Sequence, residues 1–291
     1  MSKRKEIGIR PEPKLLLLII AVTISSTSSI LIRLSSAPSL IIALYRLGIA
    51  AIITGLLTIP SANQLLELNR SQIAALIVSG VSLALHFWSW MGSLKLIPVS
   101  TSVILVDSAP ISAGIMSKLI LREPPSKKEW LGIFMGVTGA LVVVGRPQRG
   151  GSLFGAFLAL IGSIAFSIYL ISGRYLRKIL DTISYAASVY GVAFLTLLVI
   201  AMGLNSPLFG YNTRDILIFF ALAIGPSCLG HTFYNYALKY LKAHGVSIAI
   251  LGEPVGATLL AWILLNEPPG FGVILGGLLI IIGSILTLKE G

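Results

Sequence analysis

Three charged side chains stand inside long apolar runs of this sequence: Arg46, Asp107 and Glu253. A charge near the centre of a lipid bilayer costs roughly 2.5 to 3.5 kcal/mol on insertion scales, so such residues face the protein interior and need partners. The two acids could bind the polar or cationic part of a small molecule and exchange protons, and Arg46 could hold a carboxylate. The alternative is an intramembrane ion pair that only fixes the packing of helices.

A proline follows each acid closely, at Pro110 and Pro254. Proline has no backbone N–H, so the carbonyls of Val106 and Ile250 lose their usual donors four residues later. We predict that both helices break beside their acids and that the breaks act as hinges. A kink that a membrane helix merely tolerates is the alternative.

Aromatic and histidine side chains mark the ends of two other apolar runs. His86 and Trp90 lie towards the end of one, and Tyr234 towards the end of another. Such residues often form a belt at the membrane surface. One face of each run could instead line a central path, and we predict that His86, Trp90 and Tyr234 bind substrate there. The histidines have no neighbouring cysteine or carboxylate ligands, so we expect neither a metal site nor a cofactor.

The composition requires a membrane to cover these runs. Hydrophobic residues make up 55% of the 291 residues and charged residues 11%, against roughly 25% charged in soluble domains. About 20 apolar residues in a helix cross the hydrocarbon core. The sequence predicts ten such spans: Leu15–Leu34, Leu40–Ile59, Gln72–Trp90, Val99–Leu121, Glu129–Gly145, Leu153–Ser172, Ile183–Gly203, Asp215–Ala237, Gly245–Leu265 and Phe271–Leu288.

The net charge of +11 does not indicate nucleic acid, because the basic residues fall in short clusters between the apolar runs. Lys and Arg are about three times as frequent in the connections on the side of the amino terminus as on the other side. Basic residues stay in the cytoplasm. We therefore expect a multi-pass protein of the cytoplasmic membrane with both termini inside. The single cysteine, Cys228, cannot form an intramolecular disulfide.

The chain repeats itself at a separation of 144 residues. Leu121–Pro125 reads LREPP and Leu265–Pro269 reads LNEPP, and Pro110 and Pro254 keep the same separation. Because each half holds five spans, an odd number, the second half must enter the membrane the opposite way up. The predicted organisation is a cytoplasmic tail at 1–13, a first five-helix repeat at 14–146, a linker at 147–152 and a second repeat at 153–291.

Two further features of the repeat read as structural. Glu123 and Glu267 precede Pro-Pro at the ends of spans, where we expect each to cap the helix that follows. Glycines such as Gly132, Gly136 and Gly283 give small faces on which helices can approach closely, within the chain or in a dimer. The oligomeric state is left open.

The sequence resembles the EamA family of the drug/metabolite transporter superfamily over nearly its whole length. The residues that carry the resemblance are Ser28-Ser29-Ile30 through Pro38, Tyr45-Arg46, Ser108-Ala109-Pro110, Leu121-Arg122-Glu123, Gly252-Glu253-Pro254-Val255 and Leu265-Asn266-Glu267. The resemblance implies an all-α membrane protein whose two inverted five-helix repeats surround a central cavity. Arg122 and Asn266 depart from the family, which usually has glycine before this glutamate.

Together these features predict a secondary transporter rather than an enzyme. Two halves of opposite orientation can rock and open a central site to either side of the membrane in turn. We expect export of small metabolites, such as amino acids or related polar and amphipathic solutes, with protons as a candidate coupling ion. The alternatives are a passive channel or uniporter and, more remotely, an intramembrane enzyme that modifies lipids.

Overall fold

The structure is a computed structural model that describes residues 11–59, 63–144 and 152–288. The predicted linker up to residue 151 and the first ten residues of the predicted tail lie outside these ranges. Within them the chain is helical and contains no strand. The helices are α1 (Pro11–Ser26 and Ser28–Leu34), α2 (Ser39–Thr58), α3 (Arg70–Leu94), α4 (Val99–Val106, Pro110–Met116 and Ser117–Leu121), α5 (Lys127–Val144), α6 (Leu153–Leu176), α7 (Thr182–Gly203), α8 (Thr213–Leu222, Ala223–His231 and Thr232–Leu238), α9 (Ala243–Ile250 and Glu253–Leu265) and α10 (Phe271–Leu288), with one extra turn at Asn63–Leu66.

Eight of these helices, within the described residues, are long and apolar enough to cross a bilayer. They are α1 to α4 and α6 to α9. Helices α5 and α10 have 18 residues each and correspond to the predicted fifth and tenth spans, which are short and rich in glycine. The total of ten spans therefore stays a prediction.

Polar residues in the connections begin several helices. Asn69 and Gln72 form a capping box at the start of α3, in which each side chain accepts a hydrogen bond from the other residue's backbone N–H. The carboxylate of Asp181 accepts hydrogen bonds from the first backbone N–H groups of α7, and Asn212 does the same for α8. These caps satisfy N–H groups that have no partner within their own helix.

The distribution of side chains is reversed with respect to a soluble protein. Large apolar residues such as Leu57, Phe157, Leu217 and Ile263 are exposed on the outer faces of the helices. The interior, by contrast, holds many polar groups, including serines, histidines and a fully buried Arg46. This arrangement suits a bundle whose outer surface meets lipid.

The two halves have the same helical breaks at the 144-residue separation. Helix α4 is interrupted between Val106 and Pro110, and α9 between Ile250 and Glu253. Both helices then end on a residue with positive φ, which is 56° at Arg122 and 55° at Asn266. These are the two positions where the EamA family usually has glycine, and the left-handed conformation explains that preference.

Contacts across the two halves position the centre of the molecule. Helix α2 packs along α7, α3 along α6, and α5 along α10. A methyl group on Gly283 of α10 would lie 2.6 Å from the carbonyl oxygen of Gly132 in α5. The predicted glycine face therefore brings two backbones together inside the chain.

Candidate functional site

A small cavity lies at the centre of the bundle, where helices from both halves meet. Its volume is about 10 Å³, room for roughly one water molecule. The lining residues come from α1, α3, α4, α6, α8 and α9: Ser25, Ser28, His86, Trp90, Val106, Asp107, Phe166, His231, Ile250 and Glu253. In this conformation the cavity is too small to hold a metabolite.

The two predicted acids meet at this cavity, one from each half. Asp107 and Glu253 are both buried. Both line the same cavity of about 10 Å³. Asp107 Oδ2 has no hydrogen-bond partner among the described residues. Two carboxylates in one enclosed space repel each other, so the site favours a proton or another cation between them.

Tyr234 does not line the cavity itself but binds Glu253, which does. Its hydroxyl donates a hydrogen bond to Glu253 Oε1 at 2.7 Å, and the ring is fully buried. The backbone carbonyl of Glu253 accepts a longer hydrogen bond from the Ser26 hydroxyl of α1, at 3.3 Å. Glu253 is therefore held by residues of two other helices.

Aromatic rings form part of the wall of the cavity. The His86 ring stacks on Phe166 with 4.6 Å between centroids and lies 5.9 Å from the Trp90 ring. His86 Nδ1 lies 3.0 Å from the carbonyl oxygen of Gly162, which can only accept, so Nδ1 carries the proton. His231 lies 6.4 Å from His86 between ring centroids.

Arg46 lies one layer behind this wall and does not line the cavity. Its guanidinium carbon is 3.9 Å from the centroid of the Phe87 ring, and its Nε donates to the Ser227 hydroxyl at 2.7 Å. Nη1 and Nη2 have no partner within the part of the chain that the structure describes. The guanidinium is thus stabilised by an aromatic face and a single hydrogen bond.

The broken helices contribute residues at their breaks, as well as the two acids, to the cavity. Val106 and Ile250, whose carbonyls the prolines leave without their usual donors, both line it and are equivalent in the two halves. On the far side of the first break, the Ser112 hydroxyl bonds to that of Ser167 in α6 at 2.7 Å. The positions of Pro110 and Pro254 fit the predicted hinges, whose movement stays a prediction.

The structure therefore brings together most of the predicted site. His86, Trp90, Asp107 and Glu253 line the cavity, Tyr234 binds one of the acids, and Arg46 lies outside the lining. Their role in binding substrate stays a prediction. Among the residues described, no cluster of three or more His, Cys, Asp or Glu side chains could hold a metal ion.

Several lining residues are absent from the predicted site. His231 has a signal in the sequence, because it matches His86 in the repeat with one residue of slip. Phe166 has only its place in an apolar run, which does not distinguish it from lipid-facing neighbours. Ser227, which does not line the cavity but binds Arg46, lies in a π-helical stretch of α8, Ala223–His231, which contains Pro226. Such turns are common at functional sites but leave no clear pattern in a sequence.

Glu123 and Glu267 have partners other than those predicted. The start of α5 is capped by Ser126, whose hydroxyl accepts from the backbone N–H of Glu129 at 3.2 Å, and not by Glu123. Glu123 binds Arg174 instead, and Glu267 binds Arg33. Both acids thus connect the two halves of the chain.

Comparisons with known proteins agree with this architecture. The chain is 23% identical over 237 residues to an uncharacterized transporter of Archaeoglobus fulgidus, covering 79% of this chain and 78% of that protein. It is also 23% identical over 195 residues to the uncharacterized transporter YdfC of Bacillus subtilis, covering 66% and 63% of the two chains. One crystal structure superposes with a TM-score of 0.73 at 18% identity, over 94% of this chain and 96% of that one, and thus shares the fold.

A family model gives the most extensive match. It is the model of the EamA-like transporter family, and it matches this chain twice, over residues 13–145 and 153–289. The two matches cover nearly the whole sequence and place one copy of the family's unit in each half. This chain is therefore a member of the EamA-like transporter family, with an all-α membrane fold of inverted repeats.

Proposed function

We propose that this protein is a secondary transporter that exports small metabolites, such as amino acids or related polar and amphipathic solutes, in exchange for protons. The observation that carries the proposal is the meeting of Asp107 and Glu253 at one small cavity, each beside a break in its helix. The two halves, residues 14–146 and 153–291, rock against each other and open this cavity to each side in turn.

The chemistry of the lining favours a substrate with an amino group. Two carboxylates attract an ammonium group, and the rings of Trp90 and Phe166 add an aromatic, apolar surface. Among the described residues, no Lys or Arg side chain lines the cavity. For substrates that also carry a carboxylate, Arg46 supplies a second binding point when the cavity widens, because its two amino groups have no partner in the described ranges.

Coupling to protons follows from the same pair of acids. In an enclosed site of low dielectric constant, Asp107 and Glu253 cannot both stay charged without a compensating cation. A proton and an ammonium group therefore compete for one place. If each conformational change requires one of them to be bound, an inward proton gradient drives the substrate outward.

For orientation, we propose that both termini face the cytoplasm and that the protein lies in the cytoplasmic membrane. The excess of Lys and Arg in the connections on that side supports this assignment. The orientation of the protein determines the direction in which the proton gradient acts on it. The end of the bundle that holds Arg33 then faces outward, and the end that holds Arg174 faces the cytoplasm.

Transport by purified protein in liposomes tests the proposal. We expect saturable uptake of a radiolabelled amino acid or amine, accelerated by a pH gradient of the exchanging sign. Asp107→Asn and Glu253→Gln should each abolish the acceleration, whereas Glu67→Gln, at an exposed position, should retain it. Uptake without saturation would favour a channel and overturn the proposal, and so would unchanged pH dependence in both cavity variants.

A further inference from the structure

Glu129 pairs with Lys242 and His244 across the two halves of the protein, and two further ion pairs across the halves share one construction. In the first, Arg33 Nη2 lies 2.6 Å from Glu267 Oε1, and Arg33 Nη1 donates to the carbonyl of Leu94 at 2.7 Å. We call these residues the first clamp. In it an arginine at the end of α1 binds a carbonyl at the end of α3 and a carboxylate just beyond α9.

The second clamp consists of Arg174, Leu238 and Glu123. Arg174 Nε and Nη2 donate to the two carboxylate oxygens of Glu123, both at 3.1 Å, and its Nη1 donates to the carbonyl of Leu238 at 3.0 Å. Here an arginine near the end of α6 binds a carbonyl at the end of α8 and a carboxylate just beyond α4. Each part is the counterpart of one in the first clamp.

The repeat relates the two clamps residue by residue. Glu123 and Glu267 are separated by 144 residues, as are Leu94 and Leu238, and the two arginines by 141. The similarity extends to the backbone, since Glu123 N donates to Ser117 O and Glu267 N donates to Ala261 O, a pair again 144 residues apart. The two clamps are thus the same arrangement of contacts, present once in each repeat.

The clamps lie at opposite ends of the bundle. Successive helices run in alternating directions. The C-terminal ends of α1, α3 and α9 therefore lie at one end of the bundle, and the C-terminal ends of α4, α6 and α8 lie at the other. The small central cavity lies between them. Both clamps are formed in this structure, and the cavity has a volume of only about 10 Å³.

In each clamp the carboxylate can separate from the arginine while the arginine keeps another partner. The arginine stays bound to a carbonyl of its own half: Arg33 to Leu94 in the first half, Arg174 to Leu238 in the second. Only the glutamate comes from the other half. The charged side chains are partly exposed, between 12% and 28%. Water can therefore replace the lost partner at little net cost, unlike in a fully buried pair.

We propose that the Arg33–Glu267 and Arg174–Glu123 pairs are the two gates of the transport cycle, and that they open alternately. When the halves separate at one end, the clamp there breaks and the cavity opens to that end, while the other clamp stays formed. The structure with both pairs intact is the occluded state. This inference goes beyond the proposed function, on which it rests because alternating gates have a purpose only in a carrier.

The two gates are not equally strong. Glu123 is bound by two nitrogens of Arg174 and also by Lys178 Nζ, at 3.1 Å. Glu267 is bound by one nitrogen of Arg33 and also accepts a hydrogen bond from the backbone N–H of Val99, at 3.2 Å. Bidentate pairs with a second cation are the more stable. The protein without substrate should therefore open more readily at the Arg33–Glu267 end.

Cysteine accessibility tests this proposal without any substrate. The reporters are Ser93→Cys and Ala237→Cys, buried equivalent positions 144 residues apart that each precede a clamp carbonyl. They are placed one at a time in a Cys228→Ser background, since Cys228 is the one native cysteine. The rate of maleimide labelling is measured in lipid nanodiscs, where both ends are accessible. The Ser93→Cys reporter follows the first clamp and the Ala237→Cys reporter the second.

We expect the two glutamate variants to act in opposite directions. Glu267→Gln should raise the labelling of the first-clamp reporter about fivefold and lower that of the second-clamp reporter, since a loss of one ion pair shifts the equilibrium by about that factor. Glu123→Gln should do the reverse. Glu67→Gln is the matched control and should change neither rate. With wild-type clamps, the first-clamp reporter should be labelled faster than the second-clamp reporter.

Loss of folding is distinguished by a charge exchange. Arg33→Glu combined with Glu267→Arg keeps an ion pair of reversed sense and should restore low labelling of the first-clamp reporter, whereas either change alone should raise it. The proposal is overturned if each glutamate variant raises both rates or neither, or if the exchange fails to restore closure in protein that melts as wild type. If instead labelling behaves as expected but no transport is found, the proposed function alone fails.

Discussion

The hydroxyl of Tyr234 donates a 2.7 Å hydrogen bond to Oε1 of Glu253, and both side chains are buried. The tyrosine belongs to α8 and the acid to the first turn of the second segment of α9, so the bond fixes the acid relative to a neighbouring helix. Without this donor the Glu253 side chain would have one contact fewer to keep it directed at the cavity. The pair thus links a helix break to the binding chemistry.

Tyr234→Phe should therefore impair transport more than stability. A hydrogen bond to a charged group contributes roughly 1.5 to 3 kcal/mol, so we expect transport efficiency to fall by about tenfold or more. The measurement is initial uptake in liposomes over a range of substrate concentrations. Tyr45→Phe is the control, because the Tyr45 hydroxyl bonds to the backbone carbonyl of Leu208 away from the cavity. Equal effects of the two variants would contradict this role of Tyr234.

Gly283→Ala should destabilise the contact between α5 and α10. The added methyl carbon would lie 2.6 Å from Gly132 O and 3.2 Å from Gly136 N, and these backbone atoms cannot move aside as a side chain can. We expect a loss of about 1 to 3 kcal/mol, seen as a lower melting temperature in detergent. Gly277→Ala on the same helix meets no atom of the described residues within 4 Å and should melt as wild type. If both variants melt alike, close packing at Gly283 is not what holds these helices.

Arg122→Gly should stabilise the protein. Arg122 is exposed and has a φ of 56°, a left-handed conformation in which a residue with a Cβ is strained. Relief of that strain exceeds the greater entropy of glycine in the unfolded chain, and we expect a gain of about 0.5 to 1 kcal/mol. Asn266→Gly, at a φ of 55°, should gain less because asparagine tolerates this conformation. Thermal melting checks both; a similar gain in Arg122→Ala, which keeps the Cβ, would speak against the explanation.

The second clamp should depend on pH through Glu123. Burial alone would raise the pKa of this carboxyl, but its hydrogen bonds and ion pairs with Arg174 and Lys178 outweigh burial and hold the pKa below the ordinary value of 4.5. A group whose pKa is lowered by folding contributes its stability above its unfolded pKa and loses it as the pH falls through the native pKa.

The corresponding measurement compares the melting temperatures of wild type and Glu123→Gln. We expect wild type to be more stable by about 1 kcal/mol at neutral pH, and we expect this advantage to decrease below pH 4.5 and to disappear as the pH falls through the lowered native pKa. The control, Glu67→Gln, should have the melting temperature of wild type at neutral and at acid pH. An advantage that persists well into the acid range would mean that Glu123 is not held as an ion pair.

Short patterns in the sequence predict much of the architecture. Apolar runs of about 20 residues indicate helices that cross a membrane, because lipid offers the backbone no partners outside the helix. Pro110 and Pro254 indicate where α4 and α9 break, since proline cannot continue the hydrogen-bond ladder. The matching LREPP and LNEPP segments indicate a duplication, and an odd number of spans per half inverts it. Acids inside apolar runs indicate an interior polar site.

What the sequence leaves undecided is which residues meet across the halves. Glu267 binds Arg33 from 234 residues away, and a local pattern suggests only that such an acid caps a nearby helix. In the same way, Arg46 and Asp107 are both charged residues in apolar runs, yet one lies behind Phe87 and the other lines the cavity. Helix rotation and packing decide these contacts, and both depend on side chains far apart in the chain. Spacing therefore determines the helices and their repetition, while the tertiary structure determines the site and the clamps that close it.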